Sequence, residues 1–598
     1  MLKSSVRIKN GTPCLTIDGK DVPAMAYTTY FGERHRYEDF ASAGYRIFFV
    51  NASLTALPIN SAATGFTPFR VGVFEGDTED YSEFESGVNA VLKACPNAII
   101  FPRIFVSMPK RWIEENPKET VITAKGGYRE MLFSEVFRRD GAAYLRRFVS
   151  HVKKAPYQDR IGGWQICGGQ TQEWFHHDAG GSLCENAEVY YHRYLASLGL
   201  EKAPLPRPES YRYHGTAENT DENARRYAEF SSLAVAETVE CFAKAIKEET
   251  GGTQIVGTFY GYSYEAPYDS VLSGSYALSP LLQSEYLDFF SSPNAYVGGR
   301  SFGMDWGDMI PVDSVKHHGK LPFIECDIRT HLTKAIQECR PGEFPDDMYR
   351  ADDGSSLWVG PPTKELSRLA LRKCFAHQIT KGSAVWWFDM WGGWFAEPLL
   401  MEDLTLMKKL YDKNLTQGPD APLSAEVVFF ADERGYERIF NASPEMRGIV
   451  STRTELGKSG IPFDSFMVED APEILSRYKA AVFPFAVPSE AGKRAIALCE
   501  KMGIPYLISP EGEGTLTKER LRAFFDKNHL HAYADCGEVA YLGGGYIALH
   551  SATAGKKRLS LPRPMHVTAI YGADPSEVYT DRIEFDLDEN ATALFSLR

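Results

Sequence analysis

Short apolar runs alternate with longer amphipathic stretches along the first two thirds of the chain. Eight runs read as buried strands: Val22 to Tyr30 (VPAMAYTTY), Tyr45 to Asn51 (YRIFFVN), Asn97 to Phe105 (NAIIFPRIF), Ile161 to Ile166 (IGGWQI), Gln254 to Tyr262 (QIVGTFYGY), Tyr286 to Pro293 (YLDFFSSP), Leu321 to Ile328 (LPFIECDI) and Ser383 to Trp394 (SAVWWFDMWGGW). Their near-continuous apolarity is that of parallel strands covered on both faces. The stretches between them carry helical spacing. It is clearest from Asp221 to Thr250, where Phe230, Leu233, Phe242 and Ile246 fall on one face. Further helical stretches lie at Phe84 to Leu92, Ser134 to Lys154 and Lys364 to Lys381. Eight strands with helical crossovers predict an α/β fold, a (β/α)8 barrel over residues 1–415 with a short N-terminal β segment. Such a barrel needs about 250 residues, so the loops here are long.

Asn414 to Ser424 (NLTQGPDAPLS) reads as a linker, and a second pattern follows. AEVVFFAD, PFDSFMV, KAAVFPF and IPYLIS alternate with helical segments, which predicts a flavodoxin-like α/β domain over residues 424–512. The remainder, 513–598, is strand-rich, turns at LGGGY and alternates apolar and polar residues in RIEFDLDE, which predicts a small β-sandwich.

Composition narrows the function. A net charge of −14 with no basic block excludes a nucleic-acid partner. No run reaches the roughly 20 apolar residues of a membrane helix. The ten cysteines form no CxxC pair and the N-terminus has no apolar leader, so a cytoplasmic location with reduced thiols is expected.

The chemistry gathers just past the strands, where barrel active sites lie. IGGWQICGGQTQEWFHHD (Ile161 to Asp178) is a strand that breaks at Gly168-Gly169 and then presents Gln172, Glu173 and Trp174. Amides, a carboxylate and an aromatic ring suit a sugar. A second acid stands at the seventh strand, FIECDIRTH, where Glu325 and Asp327 alternate with Cys326 and face the barrel mouth. Glu325 and Glu173 are the expected reacting pair, one as nucleophile and one as general acid/base, with Asp327 the rival to Glu325 and Asp178 or Glu185 the rivals to Glu173. Arg329 or Arg103 would hold Glu325 ionised, and Trp174 would raise the pKa of Glu173. Tyr260, Tyr262 and Tyr296 follow strands five and six, and one of them could bond the nucleophile. Trp391 and Trp394 follow strand eight and could stack on a sugar or cover the core. Asp389 is a hydroxyl acceptor or a loop cap. The expected substrate contacts are Arg103, Gln172, Trp174, Tyr260, Tyr296, Asp327, Trp391 and Trp394. The pair His176-His177 lacks a further ligand at useful spacing, so no metal and no cofactor is expected.

A glutamate after strand four and another at the end of strand seven resemble the retaining glycoside hydrolases of the large (β/α)8 clan. The sequence of barrel, flavodoxin-like domain and terminal β-domain resembles the family 42 β-galactosidases within it. GTFYGY, DFFSSPNAY and WWFDMWGGWF resemble strand-five, strand-six and strand-eight signatures of that group. The clan shows Asn-Glu close after the fourth strand; here the pair is Gln172-Glu173, nine residues after Trp164, with CGGQ resembling an insertion. The resemblance implies a retaining exo-β-glycosidase on short oligosaccharides, a β-galactosidase first and a β-mannosidase or β-glucosidase second, and a homotrimer built through the middle domain. A non-catalytic carbohydrate-binding or assembly protein on the same scaffold is the reading from another class.

Overall fold

The computed structural model describes the whole chain except residues 57–66, 123–126, 177–182, 266–269, 297–299, 352, 355, 357, 418–422 and 575. Eight parallel strands close into a barrel: β1 (Met25–Thr28), β2 (Ile47–Ser53), β3 (Ile99–Val106), β4 (Gly163–Gly168), β5 (Ile255–Phe259), β6 (Phe289–Ser291), β7 (Leu321–Cys326) and β8 (Ala384–Phe388). Each is paired to the next and β8 returns to β1, so every expected apolar run became a barrel stave.

The barrel is filled rather than hollow. Rings from alternate positions interlock across it: Phe49 lies 5.2 Å from Phe101, 5.3 Å from Phe323 and 5.6 Å from Trp386, and Phe289 lies 5.9 Å from Phe323. This aromatic plug forms the floor on which the polar residues of the mouth stand.

The helical stretches form as their spacing predicts: α1 (Ser82–Ala94), α2 (Glu135–Val152), α3 (Glu222–Thr250) and α4 (Lys364–Lys381). Helix α3 starts where the Asp221 side chain accepts the backbone N–H groups of Asn223 and Ala224, and it stops at Gly251 in the left-handed conformation. Its inner face buries Phe230, Phe242 and Ile246.

The middle segment carries four parallel strands, Val427–Ala431, Phe463–Met467, Ala480–Phe483 and Tyr506–Ile508, in the order 2-1-3-4. That order is doubly wound, as in flavodoxin-like layers. The layer is fastened to the barrel by buried polar bonds. Glu433 accepts from the Ser263 hydroxyl at 2.6 Å and from the Leu278 backbone N–H at 2.8 Å. The C-terminal segment is one five-stranded antiparallel sheet around an apolar cluster of its own that includes Ile547, Leu559, Met565 and Phe595. It rests on α4, where the Tyr571 hydroxyl donates to the Arg372 carbonyl at 2.8 Å.

Candidate active site

Strand β4 ends at Gly168, yet Glu173 lies beside it. The chain leaves the strand, curls through Gly169 to Gln172 and returns, so that Glu173 forms an isolated parallel bridge with Gly168 and the Trp174 N–H donates to the Gly168 carbonyl at 2.8 Å. The apparent insertion is therefore a closed curl. It brings the acid back to the end of β4.

The curl requires unusual backbone. Thr171, Gln172 and Trp174 all have positive φ (55°, 73° and 61°), a region that costs a side-chain-bearing residue about 1 kcal/mol or more. It also requires Gly168, because a Cβ there would fall 2.6 Å from the Trp174 ring. Trp174 is fully buried, donates its indole N–H to the Thr258 hydroxyl at 2.9 Å and packs against Phe242 of α3. Thr258 lies between Gly257 and Phe259, and Phe259 faces the barrel interior near Trp386, so Thr258 and the indole lie on the helix side of the wall. Trp174 is thus an anchor for the curl and not a sugar platform, contrary to the expectation from sequence.

Glu173 accepts the Thr171 hydroxyl at 2.5 Å. Burial pushes its carboxyl up to about 7, against the pull of Thr171, Tyr262 and Arg103. Glu325, at the end of β7, is almost fully buried. Its carboxyl is raised by burial and by Asp327 and Glu173, while Arg103 and Arg300 draw it down. The charge of Glu173 thus reaches Glu325 across the mouth and works against its ionisation. Arg103 favours charge on both, and Arg300 adds to that on Glu325.

Arg103, from β3, lies under these acids. Its guanidinium is boxed by the rings of Trp386 (4.9 Å), Phe105 (5.2 Å), Phe259 (5.3 Å), Tyr30 (5.5 Å) and Phe388 (5.5 Å). A buried cation with no carboxylate in ion-pair contact is costly unless the acids above it stay near and charged. Asp327 is held differently: Arg300 forms an ion pair with its carboxylate and donates to its backbone carbonyl at 3.0 Å. That pairing suits a fixed structural anion better than a free nucleophile. Arg329, the other expected partner of Glu325, makes no such pair and stacks instead on Trp358 at 4.2 Å.

Around this centre stand the remaining polar groups. The Tyr30 hydroxyl donates to Gln172 Oε1 at 3.4 Å, and Gln172 Nε2 and Gln170 Nε2 are buried without a protein acceptor. Tyr262 lies close to Glu173 and Glu325, and burial together with Glu173 raises its hydroxyl well above the usual range. Tyr296 is part exposed, takes the Arg300 guanidinium on its ring at 4.3 Å and is influenced by Asp327 and Glu325. Trp391 joins a wall with Tyr30 (6.3 Å) and Trp358 (5.6 Å).

Other expected contacts lie elsewhere. Tyr260 points away: its hydroxyl donates to the Gly274 carbonyl at 3.2 Å and accepts the Ala277 N–H at 3.0 Å. Asp389 caps the strand-eight loop, accepting from Trp394 N–H at 2.7 Å, Gly393 N–H at 2.9 Å and the Tyr27 hydroxyl at 2.8 Å. Trp394 is fully buried in that loop and its carbonyl accepts the Thr330 hydroxyl, so it covers the core rather than offering a stacking face. Glu185 pairs with Lys118 at the surface, and Asp178 and His177 lie outside the described residues. His176 is buried and bonded to the Ser231 hydroxyl at 2.7 Å. Among the described residues no cluster of three or more His, Cys, Asp or Glu could hold a metal. A cavity of about 270 Å³ lies at the opposite end of the barrel, near Cys14, Leu321 and Lys381. Its acids Asp313 and Asp464 are both paired to Lys381, which leaves no free carboxyl pair there among the described residues.

Three comparisons place this geometry among known proteins. No family model matches the chain, and no curated protein matches it by sequence. Solved structures do match. A β-galactosidase from Marinomonas ef1 is similar over 96% of this chain and 100% of its own, with a TM-score of 0.58 and 11% identity. The fold is that of the β-galactosidases. The enzyme from Bacillus circulans sp. alkalophilus matches with a TM-score of 0.60 and 11% identity over 96% of this chain and 98% of its own. A GH42 β-galactosidase from G. stearothermophilus covers 100% of both chains with a TM-score of 0.62 and 10% identity. The likeness spans barrel and both following domains, so the chain is a divergent relative in architecture, with a glycoside-hydrolase fold.

Proposed function

We propose that the protein is a retaining β-glycosidase acting on short oligosaccharides, with Glu325 as nucleophile and Glu173 as general acid/base. The observation that carries this is the placement of two glutamates at one mouth of a glycosidase-type barrel, Glu173 bridged to the end of β4 and Glu325 buried at the end of β7. In the first step Glu325 Oε attacks the anomeric carbon while Glu173 gives its proton to the departing glycosidic oxygen. The bond to the leaving group breaks as the glycosyl ester forms. In the second step Glu173, now ionised, takes a proton from water as that water attacks the anomeric carbon and releases Glu325. Arg103, boxed beneath the pair, stabilises the carboxylate state that each residue passes through. Tyr296 and Tyr262 border the reacting groups, and Gln172 and Trp391 are buried in the wall beside them with Tyr30. The structural neighbours are named β-galactosidases, so a β-galactoside stands first, ahead of β-mannosides and β-glucosides.

The test is covalent trapping. Activated 2-deoxy-2-fluoro aryl β-glycosides, in galacto, gluco and manno forms and as hexosides and hexuronides, should leave a glycosyl mass on the peptide that contains Glu325. Glu325→Gln should abolish both the label and turnover while keeping the melting temperature near that of the parent. Labelling of Asp327, or turnover by Glu325→Gln at near parental rates, would overturn the assignment.

A further inference from the structure

Among the described residues the mouth brings together the carboxyl groups of Glu173, Glu325 and Asp327 and the guanidinium groups of Arg103, Arg300 and Arg329. Their partners differ. Arg300 is committed to Asp327 through both its ion pair and the carbonyl bond. Arg103 lies beneath the glutamates, in its box of rings. Arg329 has no such assignment. It follows β7 closely, one turn of extended chain beyond Asp327, and is largely buried. Among the described residues no carboxylate lies within ion-pair distance of it, and its Nε is buried with no hydrogen-bond acceptor. Burial and the neighbouring Arg300 both work against its charge.

Leaving that Nε–H without an acceptor is costly, because it has lost water and gained nothing in return. The flat face is used: it stacks on Trp358, and Trp358 joins Trp391 and Tyr30 in the aromatic wall that ends at Gln172. The edges, which carry the hydrogen-bond donors, are free. Stacking fixes the plane of the fork and leaves its donors for a planar or tetrahedral oxyanion. The charge balance points the same way. With one proton held on the glutamate pair, as a retaining cycle requires, these six groups carry one positive charge in excess.

We propose that Arg329, seated on Trp358, is a specificity-determining residue that binds an anionic substituent of the sugar, so that the substrate is an acidic β-glycoside. This rests on the glycosidase reading above and narrows its substrate class. Two substituents share the required chemistry, a carboxylate, as in a hexuronide, and a sulfate ester. A carboxylate accepts two parallel N–H bonds from the fork, whereas a sulfate adds an ester oxygen and more bulk.

The experiment compares kcat/KM of the intact protein on 4-nitrophenyl β-D-galacturonide and β-D-glucuronide, on 4-nitrophenyl 6-sulfo-β-D-galactoside, and on the neutral β-D-galactoside and β-D-glucoside. An acidic substrate should exceed its neutral counterpart by at least about 10-fold, and which acidic substrate does so separates carboxylate from sulfate. Arg329→Met should lower the acidic-to-neutral ratio by about 100-fold, the loss expected when one partner of a desolvated charge pair is removed. Arg329→Lys should restore part of it, since charge returns without the fork. Thermal melting by circular dichroism checks that both variants fold. If Arg329→Met does not fold, the parental ratio and Arg329→Lys decide. A parental preference for neutral sugars, or an acidic preference that survives in Arg329→Met, overturns the proposal while leaving the hydrolase standing. If no glycoside is turned over, calorimetric titration with free hexuronic acids and hexoses takes over. Arg329-dependent binding of the acids then sustains the anionic subsite and removes the hydrolase, and equal or absent binding removes both.

Discussion

Replacing Thr171 by alanine should move the alkaline limb of the activity profile upward. The general acid must be protonated in the free enzyme, so kcat/KM falls as pH rises through its pKa. Burial has already lifted Glu173 to about 7, and Thr171 is the first of the groups that hold it down. The hydroxyl stands 2.5 Å from Glu173 Oε2 and 2.6 Å from the Gln170 carbonyl, but it has one proton to give. When Glu173 is ionised, that proton points at the carboxylate, a charge-assisted bond worth about 1.5–3 kcal/mol. When Glu173 is protonated, its proton faces the mouth, as a general acid's must, and the Thr171 hydroxyl turns to the Gln170 carbonyl in a single neutral bond worth about 1 kcal/mol. Alanine removes both arrangements, so only the difference counts, about 1 kcal/mol in favour of the ionised form. One pKa unit corresponds to 1.36 kcal/mol, so the limb should rise by about 0.7 of a unit. Activity at pH 8 should then increase relative to that at pH 6. The assay is kcat/KM from pH 5 to 9 on a substrate with a poor leaving group, where protonation is needed. Thr171→Ser keeps the hydroxyl and should leave the limb in place, which separates the bond from the backbone strain at that position. An unmoved limb in Thr171→Ala, or one moved downward, would mean that the proton lost at high pH is not Glu173's.

Glu173→Ala should cost far more on poor leaving groups than on activated aryl glycosides, and added azide should restore part of the latter activity as a glycosyl azide; equal losses without rescue would point to another acid. Trp174→Ala should destabilise the fold by about 3–5 kcal/mol, the range for large-to-small changes at buried aromatics, read as a fall in denaturant midpoint; a change in KM with stability untouched would return Trp174 to the substrate. We also propose that the middle domain assembles the chain into a homotrimer. Sedimentation at micromolar concentration should give about three times the mass of the 598-residue chain, and a fully active monomer would refute this.

The barrel was legible because each stave is an uninterrupted apolar run, and the two glutamates because acids at strand ends need a reason to be there. Side-chain direction was less legible. Strict alternation past β5 turns Tyr260 to the same side as Thr258, away from the mouth, and that is where it lies. Tyr262 would follow it were it not for Gly261, whose φ of 118° resets the direction and brings Tyr262 to the acids. A glycine between two tyrosines carries that signal, but only once the strand's end is known. Arg300 gave no signal at all, because it reaches Asp327 from the loop after β6 rather than from a strand end. Trp174 was misread because its place beside Glu173 in sequence suggests a shared face. In the curl, consecutive side chains diverge, Glu173 into the mouth and the indole into the wall.

That divergence explains why the curl can exist. Three side-chain-bearing residues in the left-handed region cost together a few kcal/mol. On the other side, full burial of a tryptophan with its N–H bonded stabilises by about the same amount or more. The ring reaches its slot only because Gly168 presents no Cβ to it. The placement of Glu173 therefore depends on contacts outside the mouth: the indole anchors the curl, the curl returns the acid to the strand end, and the Thr171 hydroxyl fixes how firmly the acid holds its proton. Glu173 thus reaches the end of β4 by a longer path than a residue directly after the strand would take, and the strain of that path is balanced by Trp174, whose indole lies in the wall rather than in the mouth.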